Sequence, residues 1–409
     1  MNLQKNERGG RTPPSGRGAL ADFRVIDLTQ YIAGPYATKL LADYGADVIK
    51  VERPGGDPGR HLWPLFGEAS REPESATFAY LNSNKRSIEL DLKSADGRAT
   101  FLELVAMADL VVESYAPGTL DRLGCGLEAL RSANPNVSVI SISNFGQTGP
   151  YRDWKGSDLV LYAMGGEMYS TGLADREPLK MAGTAALIQA GASASVAAAG
   201  LLFGLRRGLP PQHVDIAIFE TLLTSADRRH ATVNAYQFTK GQVTRRPQSA
   251  GESGFVTGVL PAADGYLEMA VRASDMPRLR KLLGNPPELE NPELDRPEAP
   301  ANPDFRALVD AAVYGWIYSR SKRQAWAEAQ AARLLSAPLN STKDLFEDPY
   351  FRGRGFFVEV EDGERRYEMP AGPARLQKSP WQLRRRAPRL DEHRAEILEE
   401  LKQWKEARV

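Results

Sequence analysis

The chain has 409 residues, which at roughly 150 residues per domain allows two or three domains. Hydrophobic residues make up 42% and charged residues 25%, values typical of a globular protein with a substantial core. The 52 Lys and Arg residues balance 52 Asp and Glu residues, so net charge gives no argument for a nucleic-acid or membrane-surface protein. Cys125 is the one cysteine, which excludes an intrachain disulfide, and with four histidines a Cys/His zinc site is not expected.

Two segments resemble targeting or membrane signals. Residues 1–22 are rich in Gly, Pro and Arg and lack an apolar stretch, so we expect a disordered leader, no secretory signal and a cytoplasmic protein. Residues 181–205 carry no charge and are long enough to span a bilayer. Because they are mostly Ala, Gly and Ser, which favour insertion only weakly, they predict a buried central helix.

Strands and helices alternate over the first half of the chain. Strands are predicted at 24–28, 47–51, 109–113, 137–143 and 214–218, and helices at 36–44, 99–107, 120–131 and 219–227. This alternation predicts an α/β fold, a large Rossmann-like domain with a parallel, doubly wound sheet that begins at 23 and runs to 227.

The pattern changes from about residue 228. Residues 258–271 predict a hairpin with its turn at Asp264-Gly265, 286–303 a loop, and 305–332 helix. We therefore predict a small α+β domain over 228–335. A strand at 356–360 and a closing helix at 392–405 indicate that residues 336–409 return to the large domain.

Several catalytic and nucleotide-binding motifs are absent. The chain has no phosphate-binding P-loop motif. Ala33-Gly34-Pro35 stands after the first strand where a dinucleotide-binding domain would have G-x-G-x-x-G. The hydrolase motif G-x-S-x-G is also missing, since residues 191–195 lack its final glycine.

Six segments in order resemble the class III CoA-transferase family, which includes formyl-CoA transferase, carnitine CoA-transferase and α-methylacyl-CoA racemase. They are 24–53, 82–93, 111–124, 141–151, 344–356 and 388–393. The resemblance implies a Rossmann-like large domain whose parallel sheet is formed from both chain ends, a small middle domain and an interlocked dimer. It also implies coenzyme A as substrate or ligand, with no covalently bound cofactor and no metal.

The resemblance assigns a coenzyme A site residue by residue. Gln30, Tyr31 and Ile32 would line it, Arg53 would hold phosphate, Leu90 would touch adenine, Ser114, Tyr115 and Arg122 would contact the nucleotide, and Ser143 the pantetheine side. The phosphates of CoA need cations, and its adenine and pantetheine need an apolar groove. For each arginine the alternative is a surface ion pair, and for Leu90 and Tyr115 it is core packing. Formyl-CoA transferase has a glutamine where this chain has Ile32.

The chain departs from the family at the nucleophile. Family transferases use an aspartate that attacks the acyl-CoA thioester, giving a mixed anhydride and then an aspartyl-CoA thioester, from which CoA passes to the acceptor carboxylate. That aspartate stands four residues before a glycine, and counting back from Gly191 places Leu187 there. No Asp or Glu lies anywhere in 181–205. A leucine has no lone pair with which to attack a thioester.

The racemase chemistry of the family is not supported either. Its racemases pair that aspartate with the histidine of a G-H-D motif. The corresponding residues here are Gly156, Ser157 and Asp158, so both proton-transfer groups are replaced. Asp158 and Glu167 are the nearest carboxylates in sequence, and a capping or surface role is the alternative for each.

Three hypotheses follow. In the first, the chain is a non-catalytic subunit of a hetero-oligomeric acyl-CoA:carboxylate CoA-transferase whose homologous partner keeps the aspartate; succinyl-CoA:benzylsuccinate CoA-transferase is the family precedent. In the second, the chain, as a homodimer, is an active enzyme that uses a displaced carboxylate such as Asp158 or Glu167. In the third, it binds CoA thioesters without turnover.

Overall fold

Runs of apolar and β-branched residues form the strands, and amphipathic or small-residue stretches form the helices. The computed structural model describes residues 18–66, 74–225, 229–241 and 254–408. In chain order its first elements are β1 (Arg24–Leu28), α1 (Ala33–Asp43), β2 (Asp47–Glu52), β3 (Leu65–Phe66), β4 (Glu74–Ser75), α2 (Ala76–Leu81), β5 (Arg86–Glu89), α3 (Ala95–Ala106), β6 (Leu110–Glu113), α4 (Thr119–Arg122), α5 (Leu127–Ala133), β7 (Ser138–Ser143), α6 (Asp158–Met164), α7 (Ala185–Arg206), β8 (His213–Ala217), α8 (Ile218–Ser225) and α9 (Arg229–Thr239). They continue with β9 (Val256–Ala262), β10 (Gly265–Val271), α10 (Met276–Leu282), α11 (Pro303–Ile317), α12 (Lys322–Ala331), β11 (Leu335–Pro338), α13 (Thr342–Glu347), α14 (Pro349–Gly353), β12 (Phe357–Asp362), β13 (Arg365–Pro370) and α15 (Arg394–Glu406).

The chain divides into two compact units. The first comprises the described residues before 246 and those from 356 onward, and the second comprises the described residues of 246–355. The second unit therefore begins and ends later than the predicted 228–335. At its C-terminal end β11 hydrogen-bonds to β10, and Asp344 and Asp348 beyond it form ion pairs with Lys322 and Arg323 of α12, so these residues belong to the same unit.

Six parallel strands form the main sheet of the first unit. Their order is β5-β2-β1-β6-β7-β8, so the strand sequence runs outward in one direction from β1 and then in the other from β6. Ile26 of β1 is in register with Ile49 of β2 on one side and Val111 of β6 on the other. This is the doubly wound order, and it confirms the predicted α/β class.

Helices cover both faces of this sheet. On one face α1 and α7 bury strand residues such as Val25 and Ile140. On the other, α3, α5 and α15 bury residues such as Ile26 and Val139. The C-terminal segment thus returns to the first unit as helix α15 and as the β12–β13 hairpin. The second strand of this hairpin was not predicted. The described residues of the segment add no strand to the parallel sheet.

Helix α7 packs closely on α1 through one face. A β-carbon at Gly191 would overlap the carbonyl oxygen of Ala33, so only glycine permits this approach. The opposite face is open, with Val196 73% exposed and Phe203 62% exposed. In length and composition α7 meets the criteria for a membrane span, which is weak support for one because the core helices of folded domains also meet them.

The second unit is a small antiparallel sheet with helices. Its strand order is β11-β10-β9, and Gly265 pairs with Ala262 across the predicted hairpin turn. The predicted helix over 305–332 is two helices, α11 and α12, which pack on this sheet around an apolar core. The predicted loop over 286–303 contains three short 3₁₀ segments.

Other sequence predictions differ from the structure in detail. The helix predicted over 120–131 is broken into α4 and α5, because Gly124, at φ +72°, interrupts it. Only part of the helix predicted over 219–227 can be compared, since 226 and 227 lie outside the described residues. The same holds for residues 1–17 of the predicted leader. Residues 18–22 form a turn, in which the Leu20 amide donates to the Tyr44 carbonyl.

Buried charges join the first strands. Asp27 on β1 and Lys85, just before β5, are fully buried, and the Lys85 Nζ lies 2.9 Å from Asp27 Oδ2. Burial alone would raise the pKa of Asp27, but the charges of Lys85 and Lys50 and hydrogen bonds from two threonine side chains lower it to about 2. Lys85 also donates to the carbonyl of Pro35 at the start of α1.

Substituting one partner of this pair leaves the other charge buried and uncompensated. We expect Lys85→Met to lower the free energy of unfolding by about 3–5 kcal/mol, measured by urea denaturation. Lys343→Met is the matched control, because Lys343 is 79% exposed and faces Glu347 at 3.8 Å, and it should change stability little. Equal stability of the two variants would contradict the interpretation.

Candidate functional site

The predicted ligand residues lie where neighbouring parallel strands end. Residues 30–32 follow β1, Arg53 follows β2, Leu90 follows β5, Ser114 and Tyr115 follow β6, and Ser143 ends β7. Arg122 is the exception and lies in α4, shortly after β6. The carboxyl ends of parallel strands share one edge of a sheet, and open α/β sheets bind ligands at that edge, where the strand order reverses. Here the reversal is between β1 and β6.

Side chains meet across this reversal point. The backbone amide of Gln30 donates to Ser114 Oγ at 2.9 Å, which joins the loop after β1 to the loop after β6. Burial raises the pKa of Tyr115, whereas a hydrogen bond with Gln30 and the positive charges of Lys50 and Arg53 lower it. Four of the predicted residues, Gln30, Arg53, Ser114 and Tyr115, therefore act on one another here.

Two exposed arginines stand at this edge. Arg53 donates through Nε to the Gly56 carbonyl at 3.2 Å, and Arg122 donates to Thr119 Oγ1 at 2.7 Å. Within the described parts of the chain neither guanidinium pairs with a carboxylate. The surface ion pairs considered as the alternative for them are therefore not formed there. Both can accept a phosphate.

Three other predicted residues are buried. Leu90 is 5% exposed and packs in the core on the α3 side, which is the packing role considered for it. Ile32 is 7% exposed and immediately precedes α1. Ser143 is also 7% exposed, and its hydroxyl has no hydrogen-bond partner in the described structure. A buried hydroxyl without a partner is costly, so Ser143 is suited to bonding a bound group.

Leu187 occupies the first turn of α7. It is partly buried and packs against the same apolar cluster as Ala33. Residues four apart share a helix face, so Leu187 lies one turn before Gly191 on the face that meets α1. The start of α1, which follows the loop of residues 30–32, therefore packs in the same apolar cluster as a leucine side chain.

The residues at the racemase motif have structural roles. Ser157 caps α6, its side chain accepting the Val160 amide. Asp158 is 12% exposed, and its Oδ2 lies 2.6 Å from Lys180 Nζ. Lys180 also donates to the carbonyls of Met181 and Gly183, so this ion pair anchors the segment that leads into α7. Glu167 is half-buried and precedes a 3₁₀ turn.

A buried acid that the sequence analysis missed lies beside the site. Glu113 ends β6, is 4% exposed and accepts the Tyr115 amide at 2.7 Å. It lines a cavity of about 70 Å³ together with Ser141 and His213, whose Oγ and Nε2 atoms are 2.9 Å apart. Burial raises the pKa of Glu113 to about 7, although hydrogen bonds from Ser141 and the Tyr115 amide oppose the shift. The sequence held one signal for this buried acid, since Glu113 stands at the end of the apolar run 109–113.

The structure is that of a doubly wound α/β protein, and the cations and polar side chains at its carboxyl edge are groups of the kind that bind phosphate. The sequence model of CoA-transferase family III matches residues 20–394, and the chain belongs to that family.

Its relatives span nearly the whole chain. Succinyl-CoA:mesaconate CoA-transferase of Haloarcula hispanica is 35% identical to this chain, and the match covers 94% of this chain and 96% of the relative. The alpha subunit of succinyl-CoA–L-malate CoA-transferase from Chloroflexus aurantiacus is 32% identical over 95% and 91%, and subunit BbsE of succinyl-CoA:(R)-benzylsuccinate CoA-transferase from Thauera aromatica is 31% identical over 92% and 93%. A CaiB/BaiF family protein from Brucella suis has a similar crystal structure, with a TM-score of 0.81, 31% identity, and 94% of this chain and 100% of that chain covered.

The raised pKa of Glu113 makes stability depend on pH. Because the folded state holds this proton more tightly than the unfolded state, the contribution of Glu113 is complete below the ordinary glutamate pKa and is lost as pH rises through about 7. Relative to Glu113→Gln, the unfolding free energy of the wild type should fall by up to about 1 kcal/mol per pH unit between about pH 5 and 7.

Denaturant titrations over this pH range measure the effect. Glu361→Gln is the control, because Glu361 is 70% exposed on the β12–β13 hairpin and should leave the wild-type pH profile unchanged. Parallel profiles of the wild type and Glu113→Gln would show that Glu113 is not protonated in the folded state.

Proposed function

We propose that the chain is the non-catalytic subunit of a hetero-oligomeric acyl-CoA:carboxylate CoA-transferase, paired with a homologous chain that carries the nucleophilic aspartate. The observation that carries this proposal is Leu187 in the first turn of α7, the position that the family resemblance assigns to the nucleophile. Relatives named as alpha and beta subunits, and as subunit BbsE, support assembly from two related chains.

The chemistry requires a carboxylate at that position. A carboxylate oxygen attacks the thioester carbonyl, the carbon–sulfur bond breaks, and CoA leaves as the thiolate while a mixed anhydride remains on the enzyme. The thiolate then attacks the anhydride on the enzyme's own carbonyl, releasing the donor acid and leaving CoA bound to the aspartate. Leu187 can supply neither the attacking oxygen nor the carbonyl.

Asp158, one of the two carboxylates considered as a displaced nucleophile, is poorly suited to that role. Asp158 is engaged by the Lys180 ammonium at 2.6 Å, which stabilises its charge and lowers its nucleophilicity. The same ion pair holds the segment before α7, so moving the carboxylate toward a substrate would break that anchor. These contacts favour the subunit hypothesis over an enzyme that uses Asp158 as a displaced nucleophile.

Binding of a CoA thioester remains part of the proposal. Arg53 and Arg122 are exposed and unpaired with carboxylates among the described residues, as phosphate ligands would be before binding. Ser143 offers a buried hydroxyl at the same edge. The edge thus retains ligand-binding groups although the nucleophile is replaced.

Exposed apolar surface supports a subunit contact. Val196 and Phe203 are seven residues apart on the open face of α7, and Phe238 on α9 is 89% exposed. Large apolar side chains in such rows are usually covered by another chain. We propose that the homologous subunit covers α7, in the interlocked arrangement that the family resemblance implies.

The purified chain alone should transfer no CoA between succinyl-CoA and an acceptor carboxylate, because it has no nucleophile. Co-expression with a homologous chain that keeps the aspartate should give activity, measured by release of the new acyl-CoA. Leu187→Ala in that hetero-oligomer should keep most of the activity, and substituting the partner's aspartate by alanine should abolish it. Turnover by the isolated chain would contradict the proposal.

Arg53→Ala should weaken CoA binding by about tenfold, because a charge-assisted hydrogen bond to phosphate is lost. Calorimetric titration with CoA measures this. Arg366→Ala is the control, since Arg366 is 69% exposed on β13 and should leave the affinity unchanged. An unchanged affinity of Arg53→Ala would remove Arg53 from the site, and no binding by wild-type chain or hetero-oligomer would refute CoA binding by this subunit.

A further inference from the structure

The turn after β1 has its backbone donors occupied by side chains. The three bonds run from the Thr29 amide to Asp27 Oδ1 at 2.9 Å, from the Gln30 amide to Ser114 Oγ at 2.9 Å, and from the Tyr31 amide to Asp57 Oδ1 at 3.1 Å. In a dinucleotide-binding fold the corresponding amides face the ligand's pyrophosphate. Here they hold the turn, so this turn presents side chains to a ligand.

Tyr31 has an unfavourable backbone conformation. Its φ is +65°, in the left-handed region that a residue with a β-carbon rarely adopts, and its side chain is 52% exposed. Such a conformation persists only where the surroundings impose it, and it is frequent at ligand sites.

Asp57 and Lys50 hold the backbone on either side of Gln30, so they support the left-handed conformation of Tyr31. Asp57 is 2% exposed, and its Oδ1 accepts the Gly59 amide at 2.7 Å as well as the Tyr31 amide. Its Oδ2 lies 2.9 Å from the Nζ of the fully buried Lys50, which donates to the Thr29 carbonyl at 2.8 Å. One buried ion pair therefore holds both ends of the turn.

We propose that Asp57 and Lys50 are positioning residues for ligand binding, which hold Tyr31 in its left-handed conformation and present its ring at the carboxyl edge before CoA arrives. This inference rests on the proposed CoA-binding function. It adds two residues that do not touch the ligand and act through the backbone of Tyr31.

Two measurements on Asp57→Asn test it. Hydrogen–deuterium exchange of the backbone over 29–36, recorded without ligand, should become faster because the neutral amide holds Tyr31 less tightly. The affinity for CoA, measured by calorimetry, should fall by about tenfold, the factor that corresponds to a left-handed residue losing its support.

Tyr31→Gly separates positioning from general stability. Glycine adopts a positive φ without support, so adding Asp57→Asn to Tyr31→Gly should change CoA affinity by less than about twofold. The full tenfold loss in that background would overturn the proposal. So would unchanged exchange and affinity in Asp57→Asn alone.

Asp43→Asn is the matched control. Asp43 is 3% exposed and pairs with Lys39 at 2.7 Å, but it ends α1, ten residues beyond the start of the helix. It should lose stability as Asp57→Asn does, yet leave exchange over 29–36 and CoA affinity unchanged. A turn loosened equally by both substitutions would show general destabilisation and overturn the proposal.

Two further outcomes are decisive. If Asp57→Asn does not fold, Tyr31→Ala is compared with Tyr31→Gly, and faster exchange over 29–36 in the alanine variant is expected because only alanine needs the support. Equal exchange in the two would overturn the proposal. If the wild type binds no CoA, the proposed ligand is wrong, and the exchange measurements alone decide whether Asp57 holds the turn.

Discussion

Charges buried at the centre of a parallel sheet have to be paired, because an isolated charge in a protein interior is strongly destabilised. In this chain the pairing of Asp27 with Lys85 joins β1 to the segment before β5, and the pairing of Lys50 with Asp57 joins β2 to the loop that follows it. Lys50 also bonds the carbonyl of Thr29 in the loop after β1. The requirement for paired charges thus shapes the edge of the sheet where the candidate ligand residues meet.

A second constraint acts where α1 and α7 cross. Gly191 allows the two helices to approach closely, and this contact is kept although the residue one turn earlier, Leu187, has no reactive group. Packing and chemistry are therefore separable at this crossing. This separation is consistent with our proposal that the chain completes an assembly whose chemistry is done by a related chain.

Much of the fold could be predicted from sequence because the strands are short apolar runs separated by turn signals. Family motifs also predicted candidate ligand residues, most of which lie at one sheet edge. The network of buried charges was missed, although Asp27 inside the apolar run 24–28 and Lys50 inside the run 47–51 were a signal for it. Which partners neutralise such charges depends on contacts between residues far apart in sequence, as Asp27 with Lys85 shows. For the same reason the burial of Glu113 and the open face of α7 required the structure.

The most direct test of the account is to identify the chain that becomes acylated. The purified hetero-oligomer would be incubated with succinyl-CoA and trapped with hydroxylamine, and the modified peptide of each subunit identified by mass spectrometry. We expect a hydroxamate on the aspartate of the homologous subunit and no modification of this chain. A hydroxamate on Asp158, Glu167 or any other carboxylate of this chain would contradict it.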